Sequence, residues 1–421
     1  MILLLASGVA SAQPAGDQPP VPPDPVPEQV PDPTPTPAPD PVPVPVPTPA
    51  PEPPKPPSEE ALLSMANYAP SSVSVGGYLQ PQFRLRQNSP VQGDQDGFKF
   101  ARARLIIVGQ THAGNLDLSA TVETELQPQF SMLDAYASVV RVFGKSKGAL
   151  PGKVQLDVGQ MRTPISRQQM LSDSRIAFVD KAQLATIAPD RDLGARLTFA
   201  PPKLPAKVFL GAFNGEGKNQ VENINESYLY AARLELAPFG RDVPLAEGAF
   251  GGKVLIAGLS YGHNKLSSQA NGQEKRTYLG ADIFGSWKGI SASFEYLVVK
   301  YAFEGGDPGM LSPDYKGNGW VAQLNYLLPV KLPPYQQSRL EVGARIEEID
   351  RNDLIPIAQP GDPNQSVREI TGVLTYYMRM HNLKAQLVFN HFDELEDKSI
   401  VGADAKYKND QVILQVTYRM E

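Results

Sequence analysis

From Val73 to Arg86 the chain alternates between two kinds of side chain, and no other feature constrains its fold as tightly. Val73, Val75, Leu79, Phe83 and Leu85 share one parity; Ser74, Gln80, Gln82, Arg84 and Arg86 share the other. Successive side chains of a strand point to opposite faces, so this segment carries one apolar face and one polar, basic face. The pattern returns repeatedly. Leu116, Leu118, Ala120 and Val122 oppose Asp117, Ser119, Thr121 and Glu123, and Leu193, Ala195, Leu197 and Phe199 oppose Asp192, Arg196 and Thr198. Near the end, Val412, Leu414, Val416 and Tyr418 oppose Gln411, Gln415, Thr417 and Arg419. Sixteen such segments can be marked, mostly of about ten residues, with starts near Val73, Phe98, Thr277, Trp320 and Gln411 among them.

The connections alternate in length. His112 to Asn115, Pro201 to Ala206, Lys288-Gly289 and Arg379 to Asn382 are tight, whereas Asn214 to Ser227, Ala302 to Asn318, Asp350 to Ser366 and Asp393 to Lys408 are long and polar. Two connections break the rule, a brief one near Pro128 and a longer one from Pro238 to Gly251. A soluble sandwich would also alternate, but nothing in it demands long loops at one end only. An even strand count, strands near ten residues and one-sided long loops match an all-β fold, a 16-stranded antiparallel transmembrane β-barrel. Closure is needed because lipid cannot satisfy an open sheet edge, and sixteen strands leave a watery lumen that polar side chains can line. Phe199, Tyr228, Trp287, Trp320, Tyr326 and Tyr418 fall near the expected strand ends, where aromatic girdles belong. After the first dozen residues no apolar run is long enough for a membrane helix.

The barrel is preceded by a different kind of sequence. Residues 1–12 read as a signal peptide, with an apolar stretch and the small-residue site Ala10-Ser11-Ala12. Of the 42 prolines in the 421 residues, 22 lie between Gln13 and Pro57. Fixed φ and missing amide donors forbid helix and sheet there, so 13–57 is expected to be a disordered, proline-rich periplasmic linker with polyproline II character. Residues 58–70 read as a short helix or connector, and 71–421 as the barrel. Setting residues 1–57 aside leaves 38 basic and 39 acidic residues, a balance of −1. This lacks the basic excess of a nucleic-acid binder, so no nucleic acid is expected as a partner. The absence of cysteine excludes a disulfide scaffold and a thiolate metal site.

One connection stands apart. The 27 residues from Pro164 to Asp190 separate the fifth and sixth strands and include Ile176, Ala177, Phe178, Leu184 and Ile187, which prefer cover. Folded into the lumen, the segment would bury them against the wall and narrow the channel; the alternative is an outward cap over the mouth. Its charges are mixed, Arg167, Arg175 and Lys181 against Asp173, Asp180 and Asp190, and a mixed constriction sets a transverse field and a size limit. The polar faces of the strands also carry Arg84, Arg86, Arg102, Arg104, Arg196, Arg233, Arg339, Arg345 and Lys384. Arginine pairs with two oxygens at once and so suits phosphate and carboxylate. These bases form either a ladder for anions or one half of a wall of ion pairs with Asp117, Glu123, Glu125, Glu235, Glu341 and Glu347.

Several strings resemble the phosphate-selective porin O and P family. They include Phe98-Lys99-Phe100-Ala101-Arg102-Ala103-Arg104-Leu105, Val158-Gly159-Gln160-Met161-Arg162-Thr163-Pro164, Asp190-Arg191-Asp192-Leu193-Gly194 and Gly211-Ala212-Phe213-Asn214-Gly215-Glu216-Gly217. The resemblance spans about residues 73 to 421. It implies a homotrimer of 16-stranded barrels in the outer membrane, each with a pore narrowed by its third long loop. It also implies that Arg102 and Arg104 match the basic pair on the family's second strand, and that small anions such as phosphate are candidate solutes. The near-neutral barrel departs from a strongly anion-selective member, and the ending Tyr418-Arg419-Met420-Glu421 departs from the usual terminal aromatic residue.

The reading is therefore a passive channel for small hydrophilic solutes, with no cofactor, no metal and no catalytic residue. The alternative is a structural envelope protein, a barrel tethered to peptidoglycan through its proline-rich arm. Enzyme chemistry finds little support. The four histidines, His112, His263, His381 and His391, lie in expected turns, loops or strand ends without a nucleophile beside them.

Overall fold

The computed structural model of the protein describes residues 69–86, 96–144, 150–224, 227–240, 245–248, 250, 252–268, 272–304, 313–353, 366–395 and 410–420. The expected signal peptide, the proline-rich arm and the connector as far as residue 68 lie outside them. Sixteen strands follow. They are β1 (Ala69–Arg86), β2 (Gly97–Ala113), β3 (Leu116–Glu125), β4 (Ser131–Phe143), β5 (Gly152–Arg162), β6 (Arg191–Ala200), β7 (Ala206–Phe213) and β8 (Leu229–Leu236). The second half comprises β9 (Val254–Ser268), β10 (Gly272–Trp287), β11 (Ile290–Glu304), β12 (Tyr315–Lys331), β13 (Arg339–Asp350), β14 (Val367–Arg379), β15 (Leu383–Glu394) and β16 (Gln411–Met420).

Every strand pairs antiparallel with its sequence neighbours, and β1 closes the sheet on β16 from Gly77 opposite Met420 to Arg86 opposite Gln411. Closure leaves no edge in lipid. With an even strand count, both ends of the barrel lie on the side of the tight turns. One of these, Lys288-Gly289, has positive φ at both residues (50° and 83°), the twist a two-residue hairpin requires.

The period-two pattern becomes two surfaces. On β16, Val412, Leu414, Val416 and Tyr418 are exposed, while Gln411, Ile413, Gln415 and Thr417 are buried. Between β13 and β14 the outer rows meet as Val342–Leu374 and Ile346–Ile370, the inner rows as Glu341–Thr375 and Arg345–Thr371. For a barrel in lipid the exposed row is the greasy one, and the "core" faces inward.

The strands range from 8 residues (β7, β8) to 18 (β1), longer at the upper end than the sequence pattern implied. At about 3.3 Å per residue the long ones exceed what a bilayer needs. Their ends project beyond it, where no lipid enforces alternation. This explains two differences from expectation. Trp320 sits five residues inside β12 and bonds Glu348 through its indole (3.1 Å) instead of marking a strand end. His263, expected in a loop, lies in β9 opposite Thr277.

Candidate functional site

Residues 163–190, joining β5 to β6, run through the lumen. Hydrogen bonds from Thr163 to the carbonyls of Asp190 (2.9 Å, through N) and Pro189 (2.6 Å, through Oγ1) close the base of this inner loop. A single-turn helix, α1 (Arg167–Met170), is capped by Ser166, whose Oγ accepts from Gln169 N at 3.2 Å. The wall completes the cap. Glu295 of β11 accepts from Ser166 Oγ (2.6 Å), Arg167 N (3.0 Å) and Gln168 N (2.9 Å), donors that a helix start leaves without partners.

Apolar side chains hold the loop at two places. Ile165, Leu184 and Ile187 pack with inward-facing wall residues that include Leu297, Val299, Val321 and Ile349. Ala177, Phe178 and Val179 pack on Val373, Val388 and Ile413. Each fully buried Leu, Ile or Phe contributes about 1.5–3 kcal/mol, so the loop is seated and not merely tucked in. The wall is accordingly apolar on both faces there, which strict alternation does not reveal.

The basic residues meet acids almost everywhere. Arg102 lies 3.4 Å from Asp173 and 3.2 Å from Asp180, and Arg104 contacts Asp173 (2.7 Å), Glu125 (2.7 Å) and Glu123 (3.1 Å). Arg84 reaches Asp180 at 3.4 Å. Arg196 pairs with Asp157 at 2.9 Å. Arg233 is clamped by Asp282 (2.6 Å) and Glu235 (2.9 Å); a Cβ at Gly258 would come within 2.2 Å of its guanidinium, so only glycine leaves room. Glu347 and Glu369 stand opposite each other across β13 and β14, and Arg345 bridges them at 3.0 and 3.3 Å. Lys384 instead donates to the loop carbonyl of Ile176 at 2.6 Å. Arg339 turns to the carbonyls of Gln336 and Ser338 near the tight-turn end. Of the two arrangements the sequence left open, a paired wall is the one formed.

The loop's own charges are held differently. Burial would raise the Asp173 carboxyl, but Arg102, Lys181 and Arg104 hold it well below the usual carboxylate range. Burial pulls the Lys181 ammonium down to about 7 against the opposing pull of Asp173; its Nζ donates to the Gln169 carbonyl at 2.8 Å. Asp190 pairs with Arg191 at 3.4 Å. Arg167 is buried with its guanidinium 4.6 Å from the centre of the Phe284 ring and, among the described residues, no hydrogen-bond partner on its three nitrogens. Arg175 offers its carbonyl to Glu247 N at 2.9 Å. Between loop and wall a cavity of about 280 Å³ remains, where Arg84, Arg86, Lys181 and Arg345 face Asp180 and Glu369.

A second segment enters from the other end. The connection between β8 and β9, on the tight-turn side, brings Glu247 into the lumen with 4% of its surface exposed. Glu247 Oε1 accepts from Gln168 Nε2 (2.9 Å) and Gln323 Nε2 (2.7 Å), and Oε2 accepts from Ala177 N (2.9 Å). His381 Nε2 donates to its carbonyl at 2.8 Å, and burial holds that imidazole neutral, pushed down to about 3. Phe250 packs edge-on against Tyr377, ring centres 4.4 Å apart.

The model of the phosphate-selective porin O and P family matches residues 73–282. This barrel belongs to that family. Three solved structures share its fold at low sequence identity. An anion-selective porin from Comamonas acidovorans is 14% identical with a TM-score of 0.55, covering 83% of this chain and 100% of its own. The outer-membrane channel DcaP of Acinetobacter baumannii is 14% identical with a TM-score of 0.52, covering 83% and 97%. The trimer form of OmpT from Vibrio cholerae is 11% identical with a TM-score of 0.51, covering 83% and 99%. At such identities the likeness establishes the fold. No curated protein matches the sequence. Family and fold together place the porin in the bacterial outer membrane.

Sequence reasoning brought the right elements together but missed three carboxylates of the porin's interior. Asp192, which the sequence placed only on the polar face of a strand, accepts from the amides of Leu193 (2.8 Å) and Gly215 (2.8 Å), pinning the β7–β8 connection. Glu295 gave no signal beyond an inward parity. Glu247 had one: its connection breaks the alternation of tight and long turns.

Proposed function

We propose that this porin is a passive channel for small hydrophilic solutes with a modest preference for anions, inorganic phosphate among them. One observation carries the reading: the cavity beside the inner loop is lined by four cations and two carboxylates. Most wall arginines, Arg84 and Arg345 at the cavity among them, are paired with acids, so their field is largely local and does not form a continuous anion ladder. Low-dielectric walls around the narrow lumen focus the field of the small excess at the cavity onto passing ions. The reading uses no catalytic residue, metal or cofactor.

A homotrimer is part of the proposal, supported by the family and by the trimeric Vibrio cholerae OmpT. So is a periplasmic N-terminal arm, because both barrel ends sit with the tight turns, the periplasmic side in bacterial barrels. Purified protein in a planar bilayer across a salt gradient tests the function. Stepwise conductance with a reversal potential displaced toward the anion is expected, at least as strongly in phosphate as in chloride. Cation selectivity, or no conductance at all, would refute it.

A further inference from the structure

The inner loop is anchored along the wall of β11–β13 by one apolar cluster and along β14–β16 by the other. Between these anchorages Gln168 and Arg175, and at the second one Ala177, all meet one residue from the opposite end of the barrel, Glu247. The same residue is tied to the wall through Gln323 of β12 and to the β14–β15 turn through His381. Five hydrogen bonds thus converge on a single buried side chain and its backbone. Arg167, Arg345 and Lys384 lie within the field of its carboxylate.

We propose that Glu247, on the connection between β8 and β9, is the second jaw of the constriction and the latch that fixes the inner loop's position and hence the conductance and size limit of the pore. This rests on the channel reading above. The physical reason is that Lys384, Gln386 and Arg419 of the wall donate to this loop segment, whereas Glu247 supplies the carboxylate that accepts from it. Its backbone amide at Ala177 and the side-chain amide of Gln168 would lose their acceptor without the carboxylate, and buried donors without acceptors drive rearrangement. A loop freed at this point moves toward solvent and opens space between itself and the wall. Glu247 is a positioning residue. It acts through the loop, not by touching solute.

The chain has no cysteine, which makes a covalent test clean. Glu247→Ala should raise single-channel conductance and open-channel noise. It should also admit polyethylene glycols, added from the periplasmic face, of a size the parent pore excludes. The pair Arg175→Cys/Glu247→Cys occupies positions already joined by a backbone hydrogen bond. Oxidised, it should return conductance and noise to the parent level; reduced with dithiothreitol, it should behave like Glu247→Ala. A merely structural residue would not be rescued by a covalent tether at one point. Parent-like or lower conductance in Glu247→Ala overturns the proposal. So does an oxidised pair that stays at the alanine level, or a pair whose thiols never join. A parent protein that gives no conductance steps sinks the channel reading instead.

Discussion

A single ammonium beside the cavity should make the proposed anion preference depend on pH. Lys181 is half-buried on the inner loop, and its pKa, pulled down to about 7 by burial, puts its charge change near neutrality. Asp173 and Asp190 oppose that shift, while Arg162 and Arg191 reinforce it. Because the depressed group is a base, it is charged below about pH 7 and neutral above. The cavity therefore holds four cations at pH 6 and three at pH 8, against two carboxylates. The displacement of the reversal potential toward the anion should shrink between those pH values. Lys181→Met should remove the pH dependence and leave the weaker preference throughout. A parent pore with a flat profile from pH 6 to 8 would contradict this. Elsewhere at this scale the acids decide. Asp157 is fully buried against Arg196, and truncating one member of such a pair strands the other's charge, which costs far more than the pair itself contributes.

At the scale of elements, the inner loop is the part that the strands exist to hold. Its single-turn helix is too short to be stable alone and persists because Glu295 caps it from the wall. Glu295→Ala removes the acceptor for three donors and, at about 1–3 kcal/mol for each buried group left unsatisfied, should loosen the loop without opening the barrel. The expected outcome is faster cleavage by a small protease within residues 163–190 and noisier conductance, with heat-modifiable mobility on gels unchanged. Loss of the folded band would mean that the loop is needed for the barrel itself. The strands around it show why alternation was a partial guide. Leu297, Val299, Val321 and Ile349 are apolar and inward because they face the loop, not water. A reading in which every inward residue is wet cannot place them.

For the molecule as a whole, closure is the decisive event. The seam between β1 and β16 joins the two ends of the sheet through a register from Gly77–Met420 to Arg86–Gln411. Gln82 Nε2 donates to Gln415 Oε1 across it at 3.1 Å. Deleting residues 411–421 should leave two open edges, each with backbone groups that lipid cannot satisfy. Such a chain is expected to show no heat-modifiable band and no insertion into outer-membrane vesicles; a truncated chain that still conducts would contradict the seam's role. Removing residues 13–57 touches no described strand and should leave the folded band and conductance intact. Any weakening of the envelope after that deletion would then report on the arm alone.

The period-two pattern, the even count and the one-sided loops were legible from Val73 onward because lipid imposes a simple rule on every residue that touches it. Outward rows such as Val412, Leu414, Val416 and Tyr418 must be apolar, and sequence spacing shows that directly. The interior obeys no comparable rule. Whether Arg102, Arg104 and Arg233 stood free or paired depended on contacts between residues tens of positions apart, such as Arg102 with Asp173 and Arg233 with Asp282. The place of Glu247 depended on two connections entering from opposite ends of the barrel. Local spacing carries the constraint of a uniform solvent; long-range pairing of charges inside a lumen is specific to each partner, and only the folded chain brings the partners together.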